Sequence, residues 1–310
     1  MPAPLDLTFV VEADEAEVRL DLFLAQRLGI GRQQACRLMD AGQVWLDGRP
    51  IPAHHKGRLL RAGMVLVVGQ FEHPDTARIL PNSRISLVVL AQSDGWVIVD
   101  KPAGMPVHPL RAAEDTTVLN ALVARFPGIQ GVGEGGLRSG VVHRLDVDTS
   151  GTLLVATAQG AWEHLRAAFV RHETEKTYRA IVAGQLTGAG RETMDLMIAQ
   201  HRPAKVRIVS GSQHAGPTGV RRCDLAWRAV EALHDATLLE IQLGTGFLHQ
   251  IRVMMAALGH PVLGDRLYGP AQATRAPRQM LHAARLVAGP AKAASADPQD
   301  FVEVLARLRL

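Results

Sequence analysis

Gly140-Val-Val-His-Arg-Leu-Asp-Val-Asp-Thr-Ser-Gly151 runs directly into the apolar pentapeptide Thr152-Leu-Leu-Val-Ala156. An apolar run of that length, bounded by turn residues, predicts a buried strand. Asp146 therefore lies on the turn that feeds the strand and not inside a core. Thr149 and Ser150 can bond neighbouring backbone groups, and Gly151 gives the chain freedom to turn, so the loop is expected to hold one shape. An isolated Asp in a loop is ordinarily an Asx turn. Here the whole string, and not the Asp alone, carries the information.

Around that stretch the chain has 310 residues, enough for one large domain and a small one with a sizeable core. Hydrophobic residues make up 47% and fall in short runs, none as long as a membrane span. Met1-Pro-Ala-Pro lacks the charged start and apolar middle of a signal peptide, so a cytoplasmic protein without membrane contact is expected. Cys36 and Cys223 lie far apart, outside any CxxC or Cys/His ligand spacing. Two plain buried thiols are predicted, with no disulfide and no metal.

The net charge of +4 is unevenly spread. Residues 18–68 hold Arg19, Arg27, Arg32, Arg37, Arg49, Lys56, Arg58 and Arg61 against Asp21, Asp40 and Asp47, or +5 in that segment alone. Such a compact basic segment fits contact with phosphates, although a solvated face would carry the same charge. Residues 1–17 read as a polar or edge-strand lead-in. Helical spacing then predicts one helix over 19–28, ended by Gly29, and a second over 31–42 with Arg32 and Arg37 on its exposed face. A strand follows over 43–49 with an Asp-Gly turn, and a closing strand over 63–68. The polar, Pro-containing stretch beyond predicts a linker over 69–84 and a second domain over 85–310.

In that second domain, strands are expected over 85–90 and 96–100, and residues 101–109 are too rich in Pro and Gly for regular structure. Helices are expected over 117–125 and 159–171, with a glycine-rich approach to the signature between them. No GxGxxG or Walker spacing occurs there. Residues 173–184 alternate, which sets Tyr178 and Ala180 on one face. A basic segment at 201–207 precedes a loop over 210–219. Two antiparallel strands at 223–231 and 236–243 lead to a short helix after residue 249, and the last ten or so residues form a terminal helix.

His143-Arg-Leu-Asp-Val-Asp-Thr-Ser-Gly151 matches in full the signature His-Arg-Leu-Asp-x-x-Thr-Ser-Gly, and the chain resembles the RluA-type pseudouridine synthases on it. Two further motifs agree: the Lys, Tyr and Ala spacing around Tyr178, and Thr245-Gly-Phe-Leu-His-Gln-Ile-Arg252 with Gly264-Asp-Arg-Leu-Tyr-Gly269 after it. The resemblance implies an α+β pseudouridine synthase fold, with a mainly antiparallel mixed sheet, flanking helices and a central cleft. It implies catalytic roles for Asp146, Tyr178 and Arg252. Substrate contacts would come from His143, Arg144, Leu145, Thr149, His249 and Gln250, and from Lys101 in the loop beside the site. Residues 18–68 resemble the small α+β RNA-binding domain named after ribosomal small-subunit protein S-four, with Arg32, Arg37, Arg49, Lys56 and Arg58 as its RNA contacts. Phe247 and Leu248 depart from the family, which usually has Arg and then Thr or Ser there.

The implied reaction breaks the bond between uracil nitrogen and ribose, turns the base and rejoins it through a ring carbon. Nothing is oxidised or hydrolysed, so no cofactor is expected. A carboxylate can attack the anomeric carbon or take a ribose proton to give a glycal, and the sequence does not choose. Arg252 would pair with Asp146, and Tyr178 would stack on uracil or act at the ring-carbon proton. The partner implied is RNA, ribosomal RNA first and transfer RNA second, with the enzyme a monomer. A non-catalytic RNA-binding protein of the same fold is the alternative. A glycosidase using Asp146 with Asp148 fits poorly, because the two carboxylates stand only two residues apart in a loop.

Overall fold

The computed structural model describes residues 6–71, 76–201, 204–209 and 219–309. It divides into two compact units after Ala77. In the first, β1 (Leu7–Val10), β4 (Val65–Val68), β2 (Val44–Leu46) and β3 (Arg49–Pro50) form an antiparallel sheet in that order. Helices α1 (Leu20–Leu28) and α2 (Arg32–Asp40) accompany the sheet, and Leu20, Phe23, Leu24, Met39, Val44 and Leu66 close the core. The β2–β3 hairpin turns through Asp47 and Gly48, both at positive φ (49° and 75°), the backbone that a two-residue Asp-Gly loop favours.

Two expectations shift in this unit. The lead-in contributes β1 to the sheet, so the folded unit begins ahead of residue 18. Arg32 is half-exposed, but its guanidinium bonds the buried Asp21 at 2.8 and 3.1 Å, so it is committed to the fold before it meets any phosphate. Arg37, Arg49, Lys56 and Arg58 are exposed. The linker expected over 69–84 is shorter at its far end. Ile79 is buried in the second unit, where the Gln130 side chain accepts from its N–H and donates to its carbonyl.

Among the described residues the second unit has ten strands: β5 (Val88–Ser93), β6 (Trp96–Lys101), β7 (Ser150–Ala156), β8 (Glu175–Ala183), β9 (Ala189–His201), β10 (Ala204–Val209), β11 (Arg221–Leu233), β12 (Ala236–Leu243), β13 (Leu281–Ala288) and β14 (Ala291–Ala294). Their order is β10-β9-β11-β12-β8-β13-β7-β6-β5, with β14 on β13, and all the named pairs are antiparallel except β13–β7. Every residue of β7 is buried: Leu153 and Val155 join one core cluster, Leu154 and Ala156 the other. Alternating side chains thus face two covered sides, which is why this strand reads as an unbroken apolar run.

Helices α3 (Val118–Arg125), α4 (Gln159–Val170), α5 (Gln250–Ala257) and α6 (Gln299–Leu308) complete the unit. Thr117 caps α3 in a capping box with Asn120. Phe301, Val304, Leu305 and Leu308 recur at helical spacing and bury one face of α6. Residues 202–203 and 210–218, which include part of the expected basic segment and nearly all of the following loop, lie outside the described residues. Cys223 is buried, but Cys36 is only half-buried.

The sequence does not predict β13, although it sits mid-sheet between β8 and β7. Leu281-His-Ala-Ala-Arg-Leu-Val-Ala288 is poor in β-branched and aromatic residues, and its neighbours on both sides hold it as a strand. Gly151 makes the β13–β7 crossing possible. Its φ is +112°, and a Cβ there would stand 2.2 Å from the Ala283 carbonyl oxygen. Gly151→Ala is expected to lower stability by about 2–4 kcal/mol, from overpacking and positive-φ strain together. Denaturation curves of the two proteins check this, and an unchanged midpoint would contradict it.

Candidate active site

The turn after β6 and the turn before β7 are joined by one buried ammonium. Lys101 is fully buried, and its Nζ donates to the carbonyls of Pro102, Met105 and Val147 at 2.7–2.8 Å. Burial lowers its pKa to about 7, against the pull of the Asp148 and Asp146 charges. Lys101 was expected to meet substrate. Its three donors are instead spent on backbone, so it acts as a rivet under the Asp146 turn.

Other side chains hold the same turn. Thr149 donates its N–H to the Asp146 carbonyl (3.1 Å), and its hydroxyl accepts from Gln279 Nε2 (2.9 Å). Arg278, itself buried, reaches the Asp148 carbonyl and Ser150 Oγ and is paired with Asp300 of α6 at 2.6 and 3.0 Å. His143 Nε2 accepts the Leu154 N–H (3.0 Å), and its ring stacks on Phe169 with centroids 4.7 Å apart. Burial lowers the His143 pKa to about 3, so the ring is neutral.

Asp146 itself is met from α5. Arg252 Nη1 donates to Asp146 Oδ2 at 2.9 Å, and its Nε and Nη2 grip Asp265 at 2.7 and 2.9 Å. Asp265 Oδ1 also accepts the N–H groups of Leu267 and Tyr268. Burial opposes charge on Arg252, but the Asp265 hydrogen bonds and the two carboxylate charges outweigh it and hold its pKa above the ordinary value. For Asp265, burial is likewise outweighed by Arg252 and the backbone donors, and its pKa is lowered. Tyr178 stands on β8, and burial, then the Asp146 charge, raises its pKa and keeps the phenol protonated.

Asp146, Tyr178 and Arg252 line one cleft of about 810 Å³. Leu145 forms part of its wall, the exposed Arg144 stands at it, and Arg138, Arg166, Arg221 and Arg222 add positive charge. The size suits a nucleotide, and the charge suits phosphates. His249 also lines the cleft, with Nε2 3.9 Å from Asp146 Oδ1. Phe247 and Leu248 are half-buried; each packs against the main core and faces the cleft.

Three residues besides Lys101 that were expected at substrate use their polar atoms within the protein. Gln250 is buried: its Oε1 accepts from Thr245 Oγ1 and the Phe247 N–H, and its Nε2 donates to the Asp224 carbonyl. Thr149 and the His143 Nε2 are engaged as described, so all three shape the cleft and hold its loops. Four residues outside the expected set hold the site together: Asp265, Tyr268, Arg278 and Gln279. Asp265 and Tyr268 fall in the Gly264–Gly269 motif, but nothing in the spacing around Arg278 and Gln279 singles them out. Among the described residues no group of His, Cys, Asp and Glu could hold a metal ion, and no helix is long and apolar enough to cross a membrane.

With this geometry in hand, the class follows. The family described as RNA pseudouridylate synthase matches residues 95–257, and the chain belongs to it, in the RluA-type branch. It is an isomerase that converts uridine to pseudouridine in RNA. An uncharacterized RNA pseudouridine synthase of Synechocystis sp. is 36% identical over 277 residues, which cover 87% of this chain and 80% of that protein. The ribosomal large subunit pseudouridine synthase D of Xanthomonas campestris pv. campestris is 33% identical over 99% of this chain and 94% of its own. Among solved structures, human RNA pseudouridylate synthase domain containing 1 aligns with a TM-score of 0.57 and 25% identity, over 73% of this chain and 89% of that one.

Asp265→Asn leaves Arg252 half-paired in a buried position, and a loss of about 3–5 kcal/mol of stability is expected at neutral pH. Because the Asp265 pKa is lowered on folding, its contribution is complete above the unfolded carboxylate value of about 4 and is lost as pH falls through the folded value. The gap between wild type and Asp265→Asn should therefore hold from neutrality down to about pH 4 and close below it. Urea denaturation across that range checks both the size and the sign.

Proposed function

We propose that Asp146 is the reacting carboxylate of this isomerase, that Arg252 holds it, and that ribosomal RNA is the substrate. The observation that carries the first part is the 2.9 Å contact of Arg252 with Asp146 Oδ2, made while Asp265 grips the far side of the same guanidinium. That arrangement leaves Oδ1 on the cleft side to attack the anomeric carbon or to take a ribose proton. Tyr178, protonated and beside Asp146 in the cleft, either stacks on the uracil or serves the proton exchange at its ring carbon. A uridine inside a helix cannot reach Asp146, so the target nucleotide is flipped or unpaired, and the exposed Arg144 is suited to phosphate contact during that extrusion.

Ribosomal RNA as the target is supported by the relatives named ribosomal large subunit pseudouridine synthase D, and the cytoplasm is the corresponding place of action. Pseudouridine mapping of cellular RNA with and without the gene decides between ribosomal and transfer RNA. Asp146→Asn keeps the shape of the side chain and should reduce turnover on the mapped RNA by at least about a hundredfold, with folding and RNA affinity nearly intact. Substantial turnover by the purified variant would overturn the assignment.

The small unit supplies affinity in this reading. Its exposed Arg49, Lys56 and Arg58 would neutralise phosphates and release counterions. Reversing all three to Glu should weaken binding and flatten the plot of log affinity against log salt by about 2 units of slope. An unchanged slope would remove these residues from the interface.

A further inference from the structure

We propose that Tyr268 is a positioning residue for the reaction: its hydroxyl fixes His249 in the tautomer that carries its proton on Nε2, on the Asp146 side of the cleft. The inference rests on the reading of Asp146 as the reacting carboxylate. Tyr268 Oη stands 2.8 Å from the Val206 backbone nitrogen and 2.9 Å from His249 Nδ1. A backbone N–H can only donate, so the phenol oxygen accepts from Val206, and its own hydrogen is free to be donated to Nδ1. A neutral imidazole has one donor and one acceptor, so when Nδ1 accepts, Nε2 holds the proton. Burial lowers the His249 pKa, against the pull of Asp146, which agrees with a neutral ring.

The other end of the ring gives the same answer. Nε2 faces Asp146 Oδ1 at 3.9 Å, where a lone pair would repel the carboxylate and an N–H is attracted to it. That distance is too long for a hydrogen bond between the two. The N–H therefore remains free to donate to an oxygen of the nucleotide lying against Oδ1. His249 is also held with φ 54° and ψ 18°, a left-handed backbone that few non-glycine residues adopt and that concentrates at functional sites. Tyr268 reaches the other neighbour of Asp146 too, since its ring lies under the Arg252 guanidinium with Cζ 5.3 Å from the centroid. One side chain thus steadies the group on Oδ2 and orients the group beside Oδ1.

Nitrogen NMR of the histidine rings in the full chain tests this without turnover, with the His249 signals assigned by their loss in His249→Gln. A protonated Nε2 and a bare Nδ1 are expected at neutral pH, and a mixture of tautomers in Tyr268→Phe, which keeps the ring over Arg252. In kinetics, Tyr268→Phe should lower kcat roughly tenfold with KM nearly unchanged, the effect of one misdirected hydrogen bond. In the His249→Gln background an amide donor replaces Nε2–H and has no tautomer to fix, so adding Tyr268→Phe should cost less than about twofold. A proton found on Nδ1, or the same loss of kcat in both backgrounds, overturns the proposal and leaves Tyr268 as a structural support for Val206 and Arg252. An active Asp146→Asn would instead defeat the functional reading, whatever the tautomer.

Discussion

The cleft depends on a single buried cation held between two carboxylates. Arg252 makes three charge-assisted hydrogen bonds, two to Asp265 and one to Asp146, with its side chain only 9% exposed. Taking such a cation out of water is unfavourable unless every donor meets an acceptor in good geometry. Asp265 provides that geometry: it accepts from Leu267 and Tyr268 as well, so it is fixed before Arg252 reaches it. The result is asymmetric. Asp265 is saturated and wholly inside, while Asp146 takes the third bond on Oδ2 and lines the cleft. A carboxylate held through one oxygen in this way still has the other with which to react.

A turn would ordinarily be a poor place for such precision, since sites on loops are only as well defined as the residues behind them. This turn is held from several sides. Lys101 ties the Val147 carbonyl to the loop after β6, and Arg278 ties the Asp148 carbonyl and Ser150 to Asp300 of α6. Gln279 holds Thr149 from just ahead of β13. Each uses a long polar side chain with its head group inside the protein, and each head group is spent on backbone, hydroxyl or carboxylate oxygens. Little remains of the freedom of a surface loop.

These supports explain which parts were legible in the sequence. The signature, the alternation around Tyr178 and the helical spacing of α1 and α2 are local patterns, and a strand or helix imposes its period on adjacent residues. Arg252 and Asp146 were readable through motif resemblance, although 106 positions separate them. What stayed hidden depends on partners distant in the chain. Arg278 and Gln279 lie about 130 residues from the turn they hold, and β13 becomes a strand because β8 and β7 flank it. Lys101 shows the opposite error: the resemblance set it in the loop beside the site to meet substrate, whereas it ends β6 and its ammonium is enclosed by carbonyls.

The departure at Phe247 and Leu248 fits the same division of labour. In this chain the apolar pair packs against the core while facing the cleft, so the residues just ahead of His249 are anchored by burial. That stretch must be firm for a physical reason: His249 adopts a left-handed backbone directly before α5 begins. Gln250 bonds back to Thr245 and the Phe247 N–H and clamps the turn from the polar side, while Phe247 and Leu248 close it from the apolar side. Replacing a charged and a hydroxyl side chain by two apolar ones removes possible contacts with RNA at this point. The positive charge that remains along the cleft includes Arg138, Arg144, Arg166, Arg221 and Arg222, on other segments of the chain. In the proposed function, anchoring α5 and attracting RNA thus fall to different residues, and the contact that holds Asp146 does not depend on those that would draw the substrate in.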